Sequence, residues 1–173
     1  MCAAVILRDS AKIPGLADSK SLDSATLNRL FPKIVAQGIV SVSVVPAGLI
    51  DRRGLTEAVR IGFYQAVEGL SVRPEKLLID GKDRFAFKIP FQTIIKGDET
   101  VPVISAASIV AKVVRDEMML KIHRYFPQYG FEIHKGYGTE LHFAMLREHG
   151  VSVVHRRICK PIWEKLHVQE LVF

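Results

Sequence analysis

Two aspartates stand at positions where a strand and a loop could bring chemistry to one edge of a sheet. Asp80 directly follows the apolar run Leu77-Leu78-Ile79, and Asp98 follows later in Lys96-Gly97-Asp98. A short apolar run that stops at a polar residue is typical of a buried strand, and ligands of open α/β sheets usually bind at the carboxyl ends of such strands. Taken singly, each aspartate is better explained as a turn or a solvated loop residue.

A polar stripe is the second candidate feature. Ser105, Ser108, Lys112 and Asp116 follow one another in steps of three and four residues, so they share one face of the helix that the pattern predicts from about Ile104 to Tyr125. A helix packed only for structure would not need this stripe. The alternative is that Lys112 and Asp116 form an ordinary ion pair on a solvated helix face.

The elements that must position these residues alternate between strand and helix. Strands are predicted at Ala3 to Leu7, at Ile39 to Val45 before Pro46, and at Leu77 to Ile79. Helices are predicted at Asp23 to Gln37 with Pro32 as a kink or break, at Gly54 to Leu70, at Ile104 to Tyr125 with Ala107, Val110, Val114 and Met118 as its apolar stripe, and from Thr139 as N-cap to Gly150. The alternation favours an α/β fold around a mixed or partly parallel sheet, in one domain spanning 1–173.

Composition narrows the class of partner. The 24 Lys and Arg exceed the 18 Asp and Glu, which gives a net charge of +6 and favours an anionic partner, nucleic acid first; solubility alone is the alternative. Cys2 and Cys159 lie near opposite ends without a metal-like spacing, as expected for reduced cytoplasmic thiols. The apolar start is too short for a membrane span, and no histidine falls in a zinc pattern. Glycine-rich nucleotide motifs are also missing from the sequence, which disfavours a nucleotide-using enzyme.

Several short strings give the sequence a family resemblance. In collinear order they are Asp18-Ser19-Lys20, Ala66-Val67-Glu68-Gly69-Leu70, Leu78-Ile79-Asp80-Gly81, Lys96-Gly97-Asp98, Ala106 to Asp116, Phe126-Pro127-Gln128-Tyr129-Gly130-Phe131, His134-Lys135-Gly136-Tyr137-Gly138-Thr139 and His155-Arg156-Arg157. The sequence resembles ribonuclease HII in all of them. The resemblance implies an RNase H-like fold, with a mixed sheet flanked by helices and a C-terminal helical part from about 140 to 173.

The resemblance also implies an activity. The expected reaction is endonucleolytic hydrolysis of the RNA strand of RNA/DNA hybrids, including single ribonucleotides embedded in DNA, to give 5′-phosphomonoesters. The expected cofactor is Mn²⁺ or Mg²⁺, because two ions about 4 Å apart can activate water and neutralise the leaving oxygen. Asp80 and Asp98 match the third and fourth acids of the family's metal site, and are the expected catalytic and metal-binding residues. Asp116 and Lys112 are expected to support them.

Four further residues match the family's substrate contacts. Ser19 and Lys20 correspond to residues beside the substrate backbone, and Lys96 is a candidate phosphate contact. Tyr137 corresponds to a tyrosine that stacks near the junction between ribonucleotide and deoxyribonucleotide. Without the resemblance, Tyr137 would be interpreted as a turn aromatic between Gly136 and Gly138.

The sequence departs from the family at its start. The family's first strand, which carries adjacent Asp and Glu, and its Gly-Arg-Gly segment do not precede Ala3 to Leu7. We therefore expect an incomplete N-terminus, a missing core strand and weak or absent catalysis by the chain as written. The alternative function is a non-catalytic nucleic-acid-binding remnant. A cytoplasmic monomer is expected, and replication-clamp docking through Trp163 to Phe173 is an open alternative to a packed end.

Overall fold

The computed structural model describes residues 1–8, 11–16, 19–82 and 85–158. Its strands are β1 (Cys2–Leu7), β2 (Gly38–Ser43), β3 (Leu77–Asp80) and β4 (Phe91–Ile94). Its helices are α1 (Ser24–Gln37), α2 (Ala47–Arg53), α3 (Leu55–Glu68), α4 (Gly97–Thr100), α5 (Pro102–Tyr125), α6 (Phe131–His134) and α7 (Glu140–His149), with a 3-10 turn at Pro127–Tyr129. The predicted α/β class is confirmed. Asp18, Cys159 and the predicted tail from Trp163 to Phe173 lie outside the described residues.

Contacts group the chain into two compact units. The first is formed by Met1–Val44 and Val59–Val114, and the second by Val45–Ala58 and Arg115–Phe173. Helix α5 contributes residues to both. A single domain over 1–173 stays a prediction.

The strands of the first unit form two pairs. β1 and β2 are antiparallel, with Cys2 opposite Ser43, whereas β3 and β4 are parallel, with Asp80 opposite Ile94. The expectation of one mixed sheet is wrong for the described part of the chain, where the two pairs are separate sheets. A cleft of about 840 Å³ is lined by residues of both β1 and β3, and these two strands share no ladder hydrogen bonds.

Helices α1 and α5 supply most of the apolar core of the first unit. Leu30 and Ile34 of α1 are fully buried, and they belong to one cluster with Ile109 and Val110 of α5. Of the predicted apolar stripe of α5, Val110 is buried, but Ala107, Val114 and Met118 are only partly buried. The buried face instead contains Ile104, Ala106, Ile109 and Val113, so it is rotated from the predicted one.

Helix α1 is continuous through Pro32, where the sequence predicts a kink or break. Asp23 caps its first turn by accepting a hydrogen bond from the Thr26 N–H at 2.7 Å. This bond holds the pKa of the Asp23 carboxyl below its ordinary value. The buried stripe of α1 packs in the core and outweighs the helix-breaking tendency of one exposed proline.

The apolar run before Asp80 is buried on one side only. Leu77 and Ile79 are buried, but Leu78 between them is 36% exposed. Successive side chains of a strand point to opposite faces, so only alternate residues reach the core. The predicted buried strand is therefore buried on one face only.

The second unit has its own small core of Tyr129, Phe131 and Leu146. Helix α7 begins after Thr139, whose hydroxyl accepts a hydrogen bond from the His142 N–H at 3.2 Å, and ends at Gly150, as predicted. Gly150 has φ 69°, a backbone conformation that favours glycine. In the part of the chain that the structure describes, none of the helices has the length and apolarity needed to cross a membrane.

Candidate active site

Asp80 occupies the carboxyl end of β3, half-buried at the edge of the cleft. Its Oδ1 accepts a hydrogen bond from the backbone N–H of Gly97 at 2.9 Å. A Cβ atom at position 97 would lie 2.6 Å from Cδ1 of Ile104. Glycine is therefore required for the close approach that joins the Lys96-Gly97-Asp98 segment to the end of β3.

Asp98 is the most deeply buried acid among the predicted site residues, with 5% of its surface exposed. Its Oδ2 lies 3.1 Å from Nζ of Lys20, whose side chain is 77% exposed. Its backbone carbonyl accepts a hydrogen bond from the Ser105 hydroxyl at 2.7 Å. A buried carboxylate is costly without a partner, and here a cation approaches it from the solvent side.

The turn at Lys96 brings Asp98 close to Asp80. Lys96 has φ 55° and ψ 39°, a left-handed conformation that is uncommon outside glycine. Helix α4 follows immediately, and the Val101 N–H closes it by donating to the Gly97 carbonyl at 2.8 Å. Asp80 therefore contacts the residue directly before Asp98, and both carboxylates belong to one local structure.

The Lys96 ammonium lies 3.1 Å from Oε1 of Glu99, and its side chain is 70% exposed. A cation at the surface beside a buried carboxylate can reach a phosphate from solution. The predicted phosphate contact therefore stays a prediction, with Glu99 as the competing partner.

Ser19 is buried, and its hydroxyl lies 2.8 Å from the Ser108 hydroxyl on α5. This contact attaches the segment that carries Lys20 to helix α5. The polar stripe on α5 is thus explained in part, because Ser105 and Ser108 each hold a loop that carries a charged site residue.

Tyr137 and Asp116 belong to the second unit. The Tyr137 side chain is partly exposed, and the guanidinium carbon of Arg115 lies 4.2 Å from the centre of its ring. Arg115 also donates to the Lys135 carbonyl at 2.8 Å and pairs with Asp116 at 3.2 Å. A cation held against an aromatic ring favours one orientation of that ring.

The structure brings Ser19, Lys20, Asp80, Lys96 and Asp98 together within the first unit, to which Lys112 also belongs. Lys112 is half-buried on α5. Across the described residues, no group of three or more His, Cys, Asp or Glu side chains is arranged to hold a metal ion. The oxygen donors available are the carboxylates of Asp80 and Asp98, which suit a hard divalent cation by chemistry and supply part of its coordination.

Sequence reasoning missed two features of these sites. The N–H of Gly97 as the link between the two acids was not predicted, although glycine between Lys96 and Asp98 signals a close backbone approach. Arg115 as the partner of Tyr137 was also missed. No local pattern marks that pair, since the two residues lie on α5 and on the loop before α7.

Three comparisons with known proteins bear on this arrangement. The family model described as Ribonuclease HII matches residues 1–166. A protein named Ribonuclease HII from Nitrosospira multiformis is 45% identical over 163 residues, which cover 94% of this chain and 82% of that protein.

Solved structures show the same fold. In the PCNA:RNase HII complex from Archaeoglobus fulgidus, the matched chain aligns with a TM-score of 0.76 and 21% identity, covering 91% of this chain and 85% of that one. Bst-RNase HIII in complex with Mn²⁺ aligns with a TM-score of 0.64 and 18% identity, covering 96% of this chain and 69% of that one.

The fold and these comparisons define a nuclease of the RNase H class. More narrowly, the chain belongs to the ribonuclease HII family. It is accordingly a hydrolase of the endoribonuclease type.

Proposed function

We propose that the protein cleaves the RNA strand of RNA/DNA hybrids, including single ribonucleotides embedded in duplex DNA, to leave 5′-phosphomonoesters. The observation that carries the proposal is the joined pair of acids, in which Asp80 accepts from Gly97 and the adjacent Asp98 is buried against Lys20. Family membership supplies the reaction type, and this pair would supply two of the carboxylates that the reaction needs.

Asp80 and Asp98 would hold the divalent cations in this proposal. Mn²⁺ or Mg²⁺ bound there would lower the pKa of a coordinated water and offset negative charge on the leaving oxygen. The choice of Mn²⁺ is supported by the structure of Bst-RNase HIII, which was solved in complex with that ion. Lys20 stands beside Asp98 where a cation is favoured, so an arriving ion would compete with its ammonium.

The substrate contacts follow from charge and ring chemistry. Lys20 and Lys96 are exposed cations next to the paired acids, which suits contacts with the phosphates on either side of the scissile bond. Tyr137 offers an exposed ring held by Arg115 for stacking on a sugar or base, with Asp116 supporting Arg115. Recognition of the 2′-hydroxyl would separate RNA from DNA.

Clamp binding is proposed only by analogy. The Archaeoglobus fulgidus relative was solved as a complex with PCNA. For this chain the candidate docking segment is the tail from Trp163 to Phe173, and a pull-down with and without that tail would test it.

The test of the function uses labelled oligonucleotides of one sequence as RNA/DNA hybrid, DNA with one ribonucleotide, all-DNA duplex and all-RNA duplex. We expect cleavage of the first two only, and only with Mn²⁺ or Mg²⁺. Asp80→Asn and Asp98→Asn should each lose at least about 100-fold in kcat, because even residues that merely support metal ligands are worth 10- to 100-fold. Glu117→Gln, on an exposed position of α5, is the matched control.

Equal cleavage of all four duplexes, or full activity of Asp80→Asn, would contradict the proposal. Tight hybrid binding with no cleavage under any metal condition would instead support the non-catalytic alternative. Binding should weaken steeply with salt in either case, because phosphate neutralisation releases counterions.

A further inference from the structure

Three histidines of the second unit form a buried network that the catalytic proposal does not use. His134, His142 and His155 are each 5% exposed. The rings of His134 and His142 stack at 4.3 Å with 15° between their planes, and those of His142 and His155 lie 5.4 Å apart. Phe131 contacts all three rings, which makes their surroundings apolar.

Backbone partners determine the protonation state of two of the rings. Nδ1 of His155 accepts from the Ser152 N–H at 3.0 Å, so its proton is on Nε2. Nδ1 of His134 accepts from the Gly136 N–H at 3.1 Å, and its Nε2 faces the Tyr129 carbonyl at 2.7 Å. A backbone N–H can only donate and a carbonyl can only accept, so both rings are neutral with the proton on Nε2.

The tautomer of the third ring, His142, is determined by its two hydrogen-bond partners. Nδ1 of His142 lies 3.0 Å from the Tyr137 carbonyl, so it carries the proton and donates. Nε2 of His142 then accepts from Nε2 of His155 at 3.2 Å. The result is a directed chain of hydrogen bonds from Ser152 through both rings to Tyr137, in which each ring is neutral and has one tautomer.

We propose that His142 is a positioning residue for Tyr137, and that His155 fixes the tautomer of His142 which makes this possible. The Tyr137 carbonyl also accepts from the Thr139 N–H at 2.8 Å, and the Tyr137 N–H donates to the His134 carbonyl at 2.8 Å. Every backbone polar group of Tyr137 is thus held within the network. Its side chain is exposed, whereas hydrogen bonds to the buried network hold its backbone in place. The functional half of this inference rests on the proposed substrate contact of Tyr137.

Nuclear magnetic resonance of the imidazole nitrogens tests the chain of hydrogen bonds without any substrate. In the full chain at neutral pH, we expect His142 with its proton on Nδ1 and both His134 and His155 with theirs on Nε2. The Nδ1 form is the less usual tautomer of free histidine, so the assignment is diagnostic. A proton on Nε2 of His142 would overturn the proposal.

Two substitutions separate positioning from a packing role. Asn at position 142 can keep a donor near the place of Nδ1, whereas Gln reaches the place of Nε2 and loses the donor to Tyr137. We expect His142→Gln to raise KM for the hybrid by about five- to tenfold, the effect of one lost hydrogen bond, with kcat changed less than about twofold. His142→Asn should stay within about twofold of the parent protein. His149→Gln, on the last turn of α7, is the control.

Amide hydrogen exchange tests whether His142 positions Tyr137 without relying on the proposed substrate contact of Tyr137. Exchange at Thr139 should rise several-fold in His142→Gln and not in His142→Asn, because the two donors share the Tyr137 carbonyl. If Tyr137→Ala leaves KM unchanged, the substrate role of Tyr137 fails, while tautomer and exchange still decide the positioning. Equal KM and equal exchange in the Gln and Asn variants would show that His142 only fills space.

Discussion

At the residue scale, the chemistry depends on a buried carboxylate whose cationic partner lies at the surface. Asp98 is almost fully enclosed, yet its counter-charge is the exposed Lys20 and not a buried arginine. A long lysine side chain reaching in from solvent can move aside when a divalent ion arrives, because the ion then compensates the buried carboxylate in its place. The Lys20 ammonium therefore accompanies the Asp98 carboxyl group and leaves the position open to a divalent ion.

Replacing Lys20 should separate metal binding from substrate binding. We expect Lys20→Gln to tighten Mn²⁺ binding by about two- to fivefold, because the competing ammonium is gone. The same change should raise KM for the hybrid, because a phosphate contact is lost. Calorimetric titration with Mn²⁺ and steady-state kinetics measure the two effects. Weaker Mn²⁺ binding in the variant would show that Lys20 does not compete for that position.

The sequence was informative about these residues for a physical reason. Asp80, Asp98 and Lys20 stand in short strings whose order along the chain resembles one family, and Asp80 ends an apolar run. The Gly97 N–H could not be found in this way, because every residue carries a similar group and only the three-dimensional approach makes one of them special. The assigned roles of the site residues stay predictions.

At the scale of elements, the junction between α4 and α5 positions the backbone that Asp80 contacts directly before Asp98. Gly97 begins α4, and its Cα faces Ile104 on the first turn of α5. The positive φ of Lys96 and the capping of α4 leave the backbone little freedom to move away. Local packing of two helices thus determines where a carboxylate stands.

Gly97→Ala should therefore destabilise the first unit. Its Cβ would lie 2.6 Å from Cδ1 of Ile104, and overpacking of this kind typically costs about 1–3 kcal/mol in unfolding free energy. Ile104→Val removes that methyl group, so the double variant should recover much of the loss. Urea unfolding of the single and double variants measures the coupling. Strict additivity of the two changes would contradict the contact.

Helix α1 tests how tertiary packing overrides a local signal. The sequence predicts a kink or break at Pro32, and the structure keeps one helix because the buried residues lie on the face opposite to this exposed proline. An interior proline costs a helix about 3 kcal/mol, part of which is offset by its restriction of the unfolded chain. We expect Pro32→Ala to raise the unfolding free energy by about 1–2 kcal/mol, and Lys33→Ala to leave it nearly unchanged. A less stable Pro32→Ala variant would show that the proline stabilises the protein at this position.

At the scale of the whole molecule, the class of fold was predictable and its division was not. Alternating strand and helix patterns indicated α/β, since hydrophobic period depends on local geometry alone. The separation into two strand pairs and the grouping into two units both depend on contacts between residues far apart along the chain. The prediction of which face of α5 is buried was wrong for the same reason. Small residues lie on both sides of that helix, so the sequence pattern does not distinguish its buried face.

Acid should act on the stability of the protein through the histidine network. Burial above all, followed by the charge that His142 would carry and a smaller effect of His134, lowers the pKa of His155 to about 4. The pKa of His142 is lowered by burial as well. A proton on either ring would also place two donors face to face in the chain of hydrogen bonds. The network is therefore stable only while both rings are neutral.

The direction of the pH dependence follows from these shifts. The folded-state pKa of His155 lies below its ordinary value of 6.5, so the unfolded chain binds more protons between about pH 6.5 and pH 4. The unfolding free energy should be highest above about pH 6.5 and should fall as the pH is lowered towards 4. His155→Gln removes one of the titrating groups and should flatten this dependence, whereas His149→Gln should retain it. Urea unfolding at pH 7, 6 and 5 measures the slope, and an equally steep acid loss in His155→Gln would show that the destabilising protons bind elsewhere.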